Sequence, residues 1–363
     1  MPLLNPLRDL SIWQSIISSA YYGGLAWLGY HCLWSISLRN ATAAIIEVKK
    51  TSRFADGTPL IRRFTPFSSL DEKLLPAVIF YNGLLDASDP VHRLLLVDIH
   101  STMQTTALCM LGASRSSPSS SLSLIVPTIW NIFNQSYGAA FVYPLYLLFE
   151  SVGLGFDTFR PADNPRVSAA LLLSALLGSL LPFTFLFPAF TSCRPARRQR
   201  AIALYRFAPI VFTLLQWVGE HVPLETLVGD VPDSAPYVVA GMAATVGHLY
   251  ALFGIVLEAR KSRGNIRCSP ITACVGDVLR RVYFPSPVLP PSAAAAIPQA
   301  AHKFLQYDVW ILVAAFVPYA YFLVAPVLGM SFCVVVPCLL TGAVVLGPGA
   351  LLAFAYAFRW HLS

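Results

Sequence analysis

Of the 363 residues, 56% are hydrophobic and only 12% are charged, and the mean hydropathy is +0.63. Such proportions exclude an ordinary soluble domain and describe an all-α, polytopic bundle of transmembrane helices, one domain over 1–363. The formal charge of +7 would suit nucleic acid, but the basic residues cluster in loops beside apolar runs, where they set membrane topology. No nucleic-acid partner is therefore expected.

In chain order, apolar runs near 12–36, 91–111, 123–149, 167–190, 201–221, 237–258, 304–326 and 332–358 are each long enough to cross a bilayer. The first is too long for a signal-peptide core and should be retained. Loop 39–73 carries seven Lys/Arg, loop 191–200 four and loop 259–303 seven. The positive-inside rule puts all three in the cytosol. That arrangement requires a partial crossing at 74–88, LLPAVIFYNGLLDAS, in addition to the eight long runs. The expectation is thus eight or nine segments in the endoplasmic reticulum, with a lumenal amino terminus and a cytosolic carboxyl terminus. On that topology the sequon Asn40-Ala-Thr42 stays unmodified, and Asn134-Gln-Ser136 is buried in a span.

Two connections carry no chemistry. RSSPSSSLS at 115–123 is a Ser/Pro linker, and the proline-rich part of 259–303 either contacts anionic headgroups or is simply solvated. The cysteines, at 32, 109, 193, 268, 274, 333 and 338, never form a CxxC pair and supply no zinc or disulfide framework. Neither metal nor cofactor is expected.

The run from Ser123 to Glu150 places three amides, Asn131, Asn134 and Gln135, on one helical arc with Gly138, and Val142 and Tyr146 continue that row. Amides do not face hydrocarbon, so the arc is either interhelical glue or the polar wall of a pocket. Ionisable groups inside the spans are the other candidates. Asp98 shares a row with Ser101, Thr102 and Thr105; Arg93, His100 and Gln104 lie nearly opposite, so this helix must be enclosed on two sides. A desolvated carboxylic acid at Asp98 or Asp308 can donate a proton, the alternatives being a structural hydrogen bond for Asp98 and an aromatic-belt position for Asp308, beside Tyr307 and Trp310. Glu150 and Glu220 sit at span ends, and His248 shares a face with Gly241, Ala244 and Thr245.

Asn82-x3-Asp86-x2-Asp89 is one residue short of the N-x3-D-x3-D pattern of intramembrane aromatic prenyltransferases. A turn with Asp89 capping the next helix explains it more simply. DxDD, DDxxD, a P-loop, GxSxG and HExxH are absent. The 15 Tyr, 23 Phe and 7 Trp supply ring faces able to stabilise a cation.

At NGLLDASDPVHRLLLVDIHSTMQTT and PTIWNIFNQSYGAAFVYPLYLLFE the chain resembles the fungal integral-membrane terpene cyclases of meroterpenoid pathways, of the ascofuranone type. The resemblance implies metal-independent cyclisation of an epoxidised prenyl chain on an aromatic or polyketide head, a lipophilic substrate drawn from the membrane lipids. In that chemistry Asp98 or Asp308 would open the epoxide. Asn131, Asn134 and Gln135 would orient oxygen atoms, and His100 or His248 would take the final proton. Tyr146, Glu150, Trp310 and Asp86 complete the candidate set. The rival readings are a transporter or channel for a hydrophobic metabolite, an intramembrane prenyltransferase, or a scaffold whose polar groups merely pair.

Overall fold

The computed structural model describes residues 6–39, 41–86, 89–115, 123–153, 165–223, 229–264, 271–287 and 292–362. Asn40 of the first sequon, most of the Ser/Pro linker and parts of 259–303 lie outside the described residues. Among those described the chain is all-α, with a single isolated β-bridge between Arg53 and Pro59. Cys32, Cys109, Cys193, Cys333 and Cys338 are free thiols.

Helix α1 (Pro6–Tyr30) continues through a π-helical turn at His31–Ser37. Two short helices follow, α2 (Thr42–Thr51) and α3 (Ser68–Asn82). Next comes α4 (Pro90–Arg115), whose apolar window is 89% buried, against 39–61% in the other helices of comparable length and hydropathy. This makes α4 the axial helix, as its polar residues on two sides required. Around it stand α7 and α8 (Pro165–Gly178, Leu181–Leu186), α9 and α10 (Pro195–Tyr205, Ala208–His221), α11 (Ala235–Gly264) and α13 (Ala293–Leu328). The amphipathic α12 (Ile271–Tyr283) lies against them with Cys274, Val278 and Val282 buried.

The two remaining apolar runs are not single spans. The first breaks at Gly138 into α5 (Ile125–Tyr137) and α6 (Ala139–Gly153). Trp130 packs on Phe149 with ring centroids 5.7 Å apart. In a straight helix those residues would stand about 28 Å apart, so α5 and α6 form a hairpin. The second breaks at Gly347 into α14 (Phe332–Leu346) and α15 (Pro348–Leu362). Phe332 meets Tyr321 edge-on while Tyr356 bonds Tyr319 at 3.1 Å, so both arms return to the same end of α13. Both tips adopt one backbone conformation, φ 93°, ψ 151° at Gly138 and φ 95°, ψ 153° at Gly347. Only glycine occupies that region without strain.

The basic loops meet at one end of the bundle. Gln199 bonds Pro59 and Ile61, Arg198 bonds Asn82 and Asp86, and Gly83 packs on Pro298. The opposite end is closed by Arg115–Glu220 at 2.9 Å and by Ser168 on Asp233. Both hairpins start from that opposite end and turn back at mid-depth, where Gly138 meets Leu33 and Phe304 and Gly347 meets His248.

These turns correct the expected count. Among the described residues four helices are long and apolar enough to cross a membrane, or five if α9 and α10, bent by 51°, make one span, and α1, the expected span at 12–36, is not one of them. The expected spans at 123–149 and 332–358 are hairpins, and the partial crossing at 74–88 is only the 15-residue α3 with Pro76 inside it. The hairpin at Gly347 also moves the carboxyl terminus. Trp360 lies beside Gly112, Arg115 and Asp233, at the end away from the basic loops rather than with them. Replacing Gly138 by alanine should cost about 1–3 kcal/mol of backbone strain, before the new Cβ meets Leu33 Cδ1 at 2.5 Å and Phe304 at 2.7 Å. A lowered melting temperature of the detergent-solubilised protein measures it.

Candidate functional site: an acid-tipped aromatic cavity

Beneath α2 and α3, toward the basic end, lies a cavity of about 640 Å³. Its floor is the tip of the α5–α6 hairpin, and its sides come from α3, α4, α9, α10 and the first half of α13. Irregular backbone at membrane depth is tolerated where it lines a cavity, and Gly138 does so. Exposed Trp34, Ile46 and Tyr137 stand at its edge, with Trp34 Nε1 donating to the Tyr137 carbonyl at 3.1 Å.

Asp308 lines this cavity and is fully buried. Its Oδ1 accepts the Ala140 N–H at 2.6 Å, and the Ala139 N–H points to the same carboxyl. A helix start leaves its first N–H groups unpaired, and here a carboxyl from α13 satisfies those of α6. The second oxygen, Oδ2, has no partner among the described residues. A buried carboxyl with one oxygen anchored and the other open can donate a proton when it is protonated.

Aromatic rings surround the space. Phe185 stacks on Tyr205 at 4.9 Å and meets Tyr81 edge-on at 5.2 Å; Phe80 meets Phe304 at 5.2 Å. His100 sits among them, 4.6 Å from Phe185. Its Nδ1 is 2.9 Å from the Leu96 carbonyl, so Nδ1 carries the proton and Nε2 holds the lone pair.

The amide arc read from the sequence faces this cavity: Asn131, Asn134 and Gln135 all line it. Asn134 Nδ2 donates to Tyr143 Oη at 2.9 Å, and Gln135 Nε2 to the Tyr205 carbonyl at 3.2 Å. The row stops at the hairpin, however, so Tyr146 turns away and packs on Trp130 at 5.8 Å with Glu150 beside it.

The other candidates are placed elsewhere. Asp98 accepts from Tyr283 Oη at 2.6 Å and from His248 Nδ1 at 2.9 Å, and His248 Nε2 donates to the Val344 carbonyl at 3.0 Å. Every bond of that knot ties α4, α11, α12 and the α14 tip together, and none of its members lines the cavity. Trp310 is 44% exposed and bonds the Tyr283 carbonyl, an edge position of the belt type. Asp86 and Asn82 both hold Arg198, while Asp89 caps Val91 N at 2.9 Å. The Asn82–Asp89 stretch thus serves the turn between α3 and α4. Glu220 pairs with Arg115 and Gln216. Sequence reasoning did not single out Tyr81, Phe185, Tyr205 or Arg206, which all line the cavity. They carry no periodic signal distinct from ordinary core or loop residues.

Fold and cavity together define a helical protein of membrane type with an internal acid facing an aromatic chamber. The chain belongs to the CtvD-domain family, whose model matches residues 24–361. It is similar to terpene cyclase alnG of Emericella nidulans, 54% identical over 99% of this chain and 98% of that one. It is also similar to terpene cyclase DEP1 of Alternaria brassicicola, 26% identical over 94% and 98%, and of Fusarium langsethiae, 27% over 92% and 96%. No solved structure matches. By this kinship it is an enzyme of the cyclase type.

Removing the carboxylate of the buried knot, Asp98→Ala, should leave His248 unpaired and destabilise the fold by about 3–5 kcal/mol. Melting of the purified protein would register this, with little change in turnover per folded molecule.

Proposed function

We propose that the chain is a membrane-embedded terpene cyclase that protonates the epoxide of an oxidised, farnesyl-type chain and closes rings through a carbocation. The observation that carries this reading is the open Oδ2 of Asp308 in the aromatic cavity. The Asp308 Oδ2 proton passes to the epoxide oxygen as its C–O bond breaks. The cation at carbon is then attacked by the nearest olefin, forming a C–C bond and moving the charge along the chain. The faces of Tyr81, Phe185, Tyr205 and Phe304 stabilise it by roughly 2 kcal/mol or more each when desolvated. Excluding water prevents early quenching. His100 Nε2 accepts the final proton, and solvent exchange returns one to Asp308.

A lipophilic substrate with an aromatic or polyketide head would enter from the bilayer beside Trp34 and Tyr137. In the endoplasmic reticulum the basic end would face the cytosol, which puts both termini on the lumenal side. The relatives named as terpene cyclases favour this reading over a transporter, and the engagement of Asn82 and Asp86 by Arg198 leaves a prenyltransferase-type diphosphate site without its ligands.

Microsomes containing the chain, given an epoxyfarnesyl-aryl substrate with EDTA present, should form cyclic product. Asp308→Asn should lower the rate about 10²–10⁴-fold; unchanged turnover would remove Asp308 from the mechanism. Endoglycosidase treatment should leave gel mobility unaltered, because Asn40 belongs by sequence to the basic loop 39–73, and a mobility shift would reverse the orientation.

A further inference from the structure

Three side chains of the cavity retain hydrogen-bonding capacity that a hydrocarbon chain cannot use. Asn134 is 6% exposed, and its Nδ2 is committed to Tyr143 Oη, which donates onward to the Met103 carbonyl at 3.3 Å. Because the Tyr143 proton is used there, the amide orientation is set, and Asn134 Oδ1 is a buried acceptor without a partner among the described residues. Gln104, the residue after Met103, has a buried Nε2 donor that is likewise without a partner among the described residues. Arg206 donates to the Gln135 carbonyl and, at 3.4 Å, to Ser136 Oγ. A guanidinium has five N–H donors, so others stay available. All three side chains line the cavity.

Buried polar groups in folded proteins are almost always paired. An orphan acceptor on α5, an orphan donor on α4 and a cation at the α9–α10 bend therefore call for a ligand with the complementary set. We infer that Asn134, Gln104 and Arg206 form a head-group subsite, which takes a hydroxyl adjacent to an acidic oxygen, as in a hydroxylated aryl acid. The hydroxyl donates to Asn134 Oδ1, and the acidic oxygens accept from Gln104 Nε2 and the Arg206 guanidinium. Tyr143 acts as a positioning residue that aims the Asn134 amide. The subsite anchors one end of an amphiphile and leaves its apolar chain to lie against the aromatic wall and Asp308. This rests on the proposed reading that the cavity holds the substrate.

Binding, rather than turnover, tests it. Farnesyl salicylate without an epoxide, and its methyl ether methyl ester, are titrated calorimetrically into the purified full-length protein in detergent. The salicylate should bind at least about tenfold tighter, because sites built to hydrogen-bond reject analogues that cannot. Asn134→Leu, Gln104→Met and Arg206→Gln should each erase most of that preference, and Tyr143→Phe should reduce it. Asp308→Asn should keep it. If Asn134→Leu does not fold, the near-isosteric Gln104→Met and Arg206→Gln decide. Equal affinity of the wild type for both probes, or a preference that survives in all the folded subsite variants, overturns the subsite. Unchanged turnover in Asp308→Asn with the preference intact would overturn the acid and leave the subsite standing.

Discussion

A single hydrogen bond from backbone to carboxyl, Ala140 N–H to Asp308 Oδ1 at 2.6 Å, holds the centre of this protein together. It joins the long helix α13 to the tip of the α5–α6 hairpin, where both partners are buried. The first N–H groups of α6 need acceptors, and in a low-dielectric interior an unmet donor is expensive. Without the carboxyl, the turn at Gly138 would expose polar backbone to hydrocarbon, and the cavity would lose its floor. The anchoring also decides which oxygen is left without a partner among the described residues.

The second hairpin uses the same device with the opposite polarity. At the α14 tip it is a carbonyl, Val344 O, that is met by a donor, His248 Nε2, and His248 is held in turn by Asp98. Two glycines in matching backbone conformations thus end half-depth helices, and each tip is clasped by an ionisable side chain from a long helix. One clasp opens on a chamber of about 640 Å³ and the other lines none of it. A carboxyl in a pocket and a carboxyl in a knot are therefore separated by their surroundings, since the residue type is the same.

The site is legible in the sequence to the extent that solvation rules constrain single residues. Asn131, Asn134 and Gln135 fall on one arc that must avoid lipid, and that arc does face the cavity. The cost of burying charge singles out Asp98 and Asp308 alike, but such a rule cannot tell a satisfied carboxyl from an open one. That depends on which neighbours arrive from α11, α12 and α6. The aromatic wall stays unreadable because Tyr81, Phe185 and Tyr205 look like any other apolar positions until three helices bring them together. Gly138 continues the helical row along the sequence, yet in space it is where the row ends.

What the residues by themselves determined is the solvent they prefer: an all-helical chain of membrane character, enclosure of α4, and three basic loops gathered at one end. Hydropathy and charge act locally and add along the chain, so they survive without coordinates. Only the tertiary structure decided how many apolar runs cross from end to end, where the chain turns back, and which carboxyl keeps a free oxygen. Those outcomes depend on partners distant in sequence, Asp308 for Ala140 and His248 for Val344, and no local pattern records which partner closes a given turn.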